Sequence, residues 1–218
     1  MVASKMVRRK TFANLAFNLS LAPKKEFGAK LQGKLWQNLL GSAFRSTLGK
    51  SEVDHVVTGA GGESHVQYDD KGITLIAYDN GSLDLTDSEF SRSRASEMEK
   101  LLSAFFQVVN RTTNRKVTFT ANARLHMMLA DRSLKKFLDD NIQFRAAPKL
   151  RRALGDYKGV KSVLLGMSEN QDMVVHSPDH IDFLYHSVIK SDLKRKLFVV
   201  DFVTVSMKRV DSMRRFAQ

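Results

Sequence analysis

Between Val117 and Met127 the sequence alternates without a slip. Val117, Phe119, Ala121, Ala123, Leu125, Met127 and Leu129 hold the odd positions, while Thr118, Thr120, Asn122, Arg124 and His126 hold the even ones. Successive side chains of a β-strand point to opposite faces, so this pattern builds one apolar stripe and one polar stripe. A strand this long with a polar face crosses a sheet whose second face is open to solvent or to a ligand. The fold must therefore contain a sheet with one covered face.

The same period opens the chain, where Leu15, Phe17, Leu19 and Leu21 alternate with Asn14, Ala16, Asn18 and Ser20 until Pro23 stops the ladder. Beyond Pro23 the period changes. Phe27, Leu31, Leu35 and Leu39, beside Trp36, Leu40, Ala43, Phe44 and Leu48, recur every three or four residues, which predicts one amphipathic helix closed by Gly49. Short strands come next at Val53–Thr58, His65–Tyr68, Ile73–Tyr78 and Leu83–Leu85, with Asn80-Gly81 predicting a type I′ hairpin turn. Asp87 is expected to cap a second helix carrying Phe90, Met98, Leu101, Leu102, Phe105, Phe106 and Val109 as far as Asn110.

After the long strand, Leu134, Phe137, Leu138 and Ile142 predict helix, and strand-like runs come next at Val160–Met167, Met173–His176, Ile181–Ile189 and Leu197–Met207. Short connections imply antiparallel hairpins. The expected architecture is an α+β protein with antiparallel meander sheets and flanking amphipathic helices. Residues 1–10 form a basic arm and residues 11–218 a single domain, which divides into sub-sheets at 11–130 and 131–218 if the two meanders do not join.

Charge is sorted along this chain. Residues 1–50 hold ten Lys/Arg against one acid, 51–100 four against eleven, 101–150 nine against three and 151–218 twelve against eight, for a net +12. Basic surfaces interrupted by an acidic one attract polyanions and can attract copies of the same chain. The chain has no cysteine, which excludes disulfides, thiolate metal sites and a Cys nucleophile and suits a reducing, cytoplasmic compartment. No run approaches 18 apolar residues, so no membrane-spanning helix is expected. Lys5, Arg8, Arg9 and Lys10 before Thr11–Ala22 suggest a targeting signal, but the strand alternation spoils a signal-peptide core.

Catalytic and metal motifs fail on inspection. Gly49-Lys50-Ser51 ends like a P-loop, yet Phe44 stands where that motif needs glycine, and a helix precedes it instead of a strand. Gly59-Ala60-Gly61-Gly62 precedes no helix and reads as a hairpin loop. His176, Asp179 and His180 around Pro178, with His186 beyond, suggest a metal site or acid–base pair, but their spacing matches no metal motif and solvated turn histidines are the simpler reading. No catalytic residue, metal ligand or cofactor is assigned.

What remains is electrostatics on a polar platform. Arg8, Arg9 and Lys10, then Arg145, Lys149, Arg151 and Arg152, then Lys194, Arg195 and Lys196 form basic clusters, and Lys208, Arg209, Arg214 and Arg215 make the C-terminus a second cationic arm. Arg124 and His126 point from the polar strand face, and Phe144, Tyr157 and Tyr185 are candidate stacking partners for bases. The expectation is a non-enzymatic, sequence-tolerant binder of RNA or single-stranded DNA. The alternative is a self-assembling, matrix-like protein in which the acidic 51–100 region meets a neighbour's basic 1–50 region, with a basic surface against nucleoprotein or an acidic membrane. A metal-independent hydrolase using His and Arg is a third reading.

Overall fold

The computed structural model describes residues 11–25, 33–48, 54–57, 64–70, 72–142, 153, 162–192 and 198–217. In chain order these form β1 (Phe12–Pro23), α1 (Gly33–Leu48), β2 (Asp54–Val57), β3 (Ser64–Asp70), β4 (Ile73–Tyr78) and β5 (Leu83–Asp87), then α2 (Ala95–Thr113) and β6 (Thr118–Leu129). They continue with α3 (Arg132–Asn141), β7 (Val163–Ser168), β8 (Gln171–Ser177), β9 (His180–Lys190) and α4 (Phe198–Phe216). The chain is an α+β protein built on antiparallel pairing.

All nine described strands share one sheet in the order β2-β3-β4-β5-β1-β6-β9-β8-β7. The two meanders are its wings. The alternating strands β1 and β6 join them, pairing from Phe12↔Leu129 to Pro23↔Phe119 with one bulge near Phe12. Because the register is even throughout the remainder, the apolar stripes of both strands fall on the same face. Phe17, Leu19 and Leu21 of β1 and Phe119 through Leu129 of β6 are buried there at alternate positions, together with Leu75, Leu83 and Leu85 of the first wing and Ile181 and Phe183 of the second.

Helices cover that face. Trp36 and Phe44 of α1 are buried, and the Trp36 ring meets Phe105 of α2 edge-on at 6.1 Å. Phe105 and Phe106 both pack on Phe119 of the sheet. Glu99 of α2 is buried, and its Oε2 accepts the backbone N–H groups of Val199 at 2.6 Å and Val200 at 3.4 Å, so one helix caps the start of another. Burial, the largest influence, raises the Glu99 carboxyl above its ordinary range despite those hydrogen bonds.

Three local expectations are corrected. From Phe198 onward the strand-like run Leu197–Met207 is part of α4, because Phe198, Val199, Phe202, Val203, Met207 and Val210 repeat at helical spacing and are among the residues it buries, while Leu197 lies outside the described residues. Its valines imitate a strand, and tertiary packing overrides that propensity. Asp87 does not begin α2. It is the last residue of β5 and points into the core, accepting the Glu89 N–H at 3.0 Å and an ion pair from Arg94 at 3.0 Å, while a 3₁₀ turn at Arg92–Arg94 leads into the helix. The helix then runs past Asn110 to Thr113, ended by Asn114 at φ 50°. The β4–β5 turn closes through Gly81 N–H to the Tyr78 carbonyl with only Gly81 at positive φ, the pattern of a three-residue loop with a bulge and not of a type I′ turn.

Candidate functional site

The uncovered face of the sheet collects the even positions of β6 and β9. Thr118, Thr120, Asn122, Arg124 and His126 point there, and β1 adds Asn18 opposite Arg124 and Ser20 opposite Asn122. The expected open polar face is present, since Asn18, Ser20, Asn122 and Arg124 are all exposed. On β9, His180, Asp182, Leu184, His186 and Val188 lie on the same side, with Asp182 directly across from His126. On β8, Val174 is opposite Asp182 and His176 lies two residues further on, toward the turn.

Asp182 organises this surface. Its side chain is 3% exposed and accepts three charge-capable donors: Arg124 Nη2 at 2.7 Å and His176 Nε2 at 2.6 Å on Oδ2, and His126 Nδ1 at 2.8 Å on Oδ1. Burial, the largest influence, pushes this carboxyl up, yet the hydrogen bonds from Arg124, His126 and His176 and the Arg124 charge outweigh it and hold it below the ordinary range. An ionised carboxylate only accepts, so both facing ring nitrogens carry protons, and the outer nitrogens, Nε2 of His126 and Nδ1 of His176, are left for a ligand. Arg124 keeps its other N–H donors free of Asp182 and is 48% exposed.

A smaller copy of this arrangement sits beside it. Asp179 accepts His180 Nδ1 at 2.8 Å and the Ser177 hydroxyl, Lys135 of α3 approaches it at 3.8 Å, and the His180 ring lies 5.9 Å from that of His126. Hydrogen bonds from Ser177 and His180 hold the Asp179 carboxyl below its ordinary range. Further along the sheet, His186 Nδ1 meets the Asn122 carbonyl oxygen. Among the described residues, no three His, Asp or Glu side chains are grouped to hold a metal ion.

The structure brings Arg124 and His126 together with His176 and His180, whose spacing in the sequence suggests only solvated turn histidines. It also supplies Asp182, which sequence reasoning misses; the one signal for it is a carboxylate inside the strand-like run Ile181–Ile189. Arg8, Arg9, Lys10, Arg145, Lys149, Arg151, Arg152, Lys194, Arg195 and Lys196 lie outside the described residues, as do Phe144 and Tyr157. Tyr185 is on the covered face, partly buried against the core, with its ring 5.1 Å edge-on to Phe198 and 5.8 Å from Phe202, so it is not presented on the open face as a stacking partner for a base. The C-terminal cations are not a loose arm either. They ride on α4, where Arg209 Nη2 donates to Gln171 at 3.1 Å and Arg214 Nε to Asp131 at 3.1 Å.

A separate cleft of about 370 Å³ opens among the helices, lined by Thr47, Glu99, Lys100, Ser103, Gln107 and Val200. Its one buried carboxylate, Glu99, is committed to capping α4. No described helix is long and apolar enough to cross a membrane. No protein-family model and no curated protein matches this sequence.

Proposed function

We propose that the open face of β1, β6 and β9 binds single-stranded RNA or DNA without selecting a base sequence. The observation that carries this reading is the half-exposed Arg124 guanidinium, held by Asp182 and set among uncharged donors and acceptors of Asn18, Ser20, Thr120 and Asn122. A guanidinium with spare N–H groups engages phosphate, and short amides and hydroxyls hydrogen-bond to sugars and base edges without demanding one base. The chain's net +12 supports the same partner, and in the sequence Lys194, Arg195 and Lys196 stand four to six residues after the end of β9.

Self-assembly is the second reading, and one observation favours it. The outermost strand β7 reads Val-Leu-Leu-Gly-Met-Ser, with no charge to protect its edge, and its Leu164 is 63% exposed.

Fluorescence anisotropy with labelled oligouridine and oligothymidine 12-mers tests the binding, with sedimentation of the protein alone alongside. If about six phosphates are engaged, the log–log salt slope is about −4 for a single strand, and Arg124→Ala weakens both oligomers alike. No binding at low salt, or a flat salt response, would overturn the proposal; sedimentation as an oligomer with no strand bound would favour assembly.

A further inference from the structure

We propose that the Asp182 cluster is a phosphodiester seat that fills when His126 and His176 take up protons, so that the open face grips a strand most tightly at mildly acidic pH. This rests on the reading that the face binds nucleic acid, and it names the atoms and the condition.

The two imidazoles share one anchor. Each spends a ring N–H on the same buried carboxylate, so neither can turn away without leaving Asp182 short of a donor. Their outer nitrogens stay partly exposed, the side chains being 28% and 42% accessible. In the neutral ring that outer nitrogen is a lone pair, which repels a phosphate oxygen. In the protonated ring it is an N–H donor bearing positive charge, which binds one. Arg124, Asp182 and the two imidazoles therefore sum to zero charge when both rings are neutral and to +2 when both are protonated. Histidine is the side chain whose charge changes between pH 5 and 8.

The surroundings do not cancel that change. On β9 the facing groups are His180 and His186, the first bonded to Asp179 and the second to Asn122. The Asp179 charge is answered by Lys135 of α3. From β8 the face carries Asp172, opposite Leu184, besides His176 itself. From β1 the residues opposite His126 and Arg124 are Ala16 and Asn18, which carry no charge. A strand laid along β6 would thus meet Arg124 and two switchable donors grouped around one point.

The test is anisotropy of the same 12-mers at constant ionic strength from pH 8.0 to 5.5, with wild type and the double variant His126→Gln/His176→Gln. Linkage allows up to tenfold tighter binding per pH unit for each proton taken up on binding. Wild type should bind at least about tenfold more tightly at pH 5.5 than at pH 8.0, and the double variant, whatever its affinity at pH 8.0, should tighten by less than about threefold over the same range. A wild type indifferent to pH, or a variant that tightens as much as wild type, overturns the seat and leaves the binding reading standing. Absence of binding at both pH values overturns both. Should the variant not fold, wild-type histidine ring resonances give the answer with inorganic phosphate as probe. Those of His126 and His176 must shift on adding phosphate at pH 5.5 and not at pH 8.0, and any other pattern refutes the seat.

Discussion

Replacing Asp182 with asparagine keeps the shape of the side chain and removes the anion on which three donors converge. The carboxamide retains one accepting oxygen and turns an NH₂ group toward donors that Asp182 had satisfied. Hydrogen bonds to charged groups contribute about 1.5–3 kcal/mol each when fully buried. Here the partners are 48%, 42% and 28% exposed and regain water on release, so about 1 kcal/mol apiece is the reasonable share and about 3 kcal/mol the expected total. In a chain of 218 residues, that is roughly 6–12 °C in melting temperature. The loss has a pH signature. A carboxyl held low in the folded state stabilises above the unfolded aspartate value of about 3.9, and the benefit disappears as pH falls through the folded value. Thermal melts by circular dichroism should therefore show a wide gap between wild type and Asp182→Asn at pH 7 that narrows by pH 3. A gap under about 2 °C at pH 7, or one equally wide at pH 3, would show that Asp182 does not hold these strands together.

Two buried acids on the covered side give further outcomes. Arg94→Ala leaves the buried Asp87 without its ion-pair partner, at a cost of about 3 kcal/mol at pH 7. Burial, its largest influence, already raises Asp87, so the deficit should shrink as pH falls from 7 toward about 4 and the carboxyl protonates; a urea-melt deficit that is constant over that range contradicts this. Glu99 is also raised, chiefly by burial, so the folded state takes up its proton at a pH where the unfolded chain has released it. Relative to Glu99→Gln, wild type should gain stability as pH falls from 7 toward about 4, and a difference that is flat or reversed over that range would refute the assignment.

Much of the sheet is legible in the sequence because period-two alternation is a local property. The faces of β1 and β6 can be assigned residue by residue, and with them the existence of an open polar face bearing Arg124 and His126. Helix α1 is equally plain from its apolar spacing. Where local and tertiary signals disagree, the sequence misleads: the valines of α4 imitate a strand, and Asp87 has the chemistry of a helix cap but is a buried acid at the end of β5. Tyr185 resembles a stacking platform only while its face is unknown.

The site itself belongs to tertiary structure. His126 and Asp182 are 56 residues apart, and nothing local to either one states that β6 pairs with β9 in the register that sets them opposite each other. A shift of one residue would turn Asp182 to the covered face and leave Arg124, His126 and His176 without their anion. Sequence determined which side chains share a face, because that depends on neighbours two residues away. Only the long-range pairing decided which of them meet, because it is set by burial of the opposite, apolar face under α2 and α4, where a shift of one residue would bring polar side chains into the core.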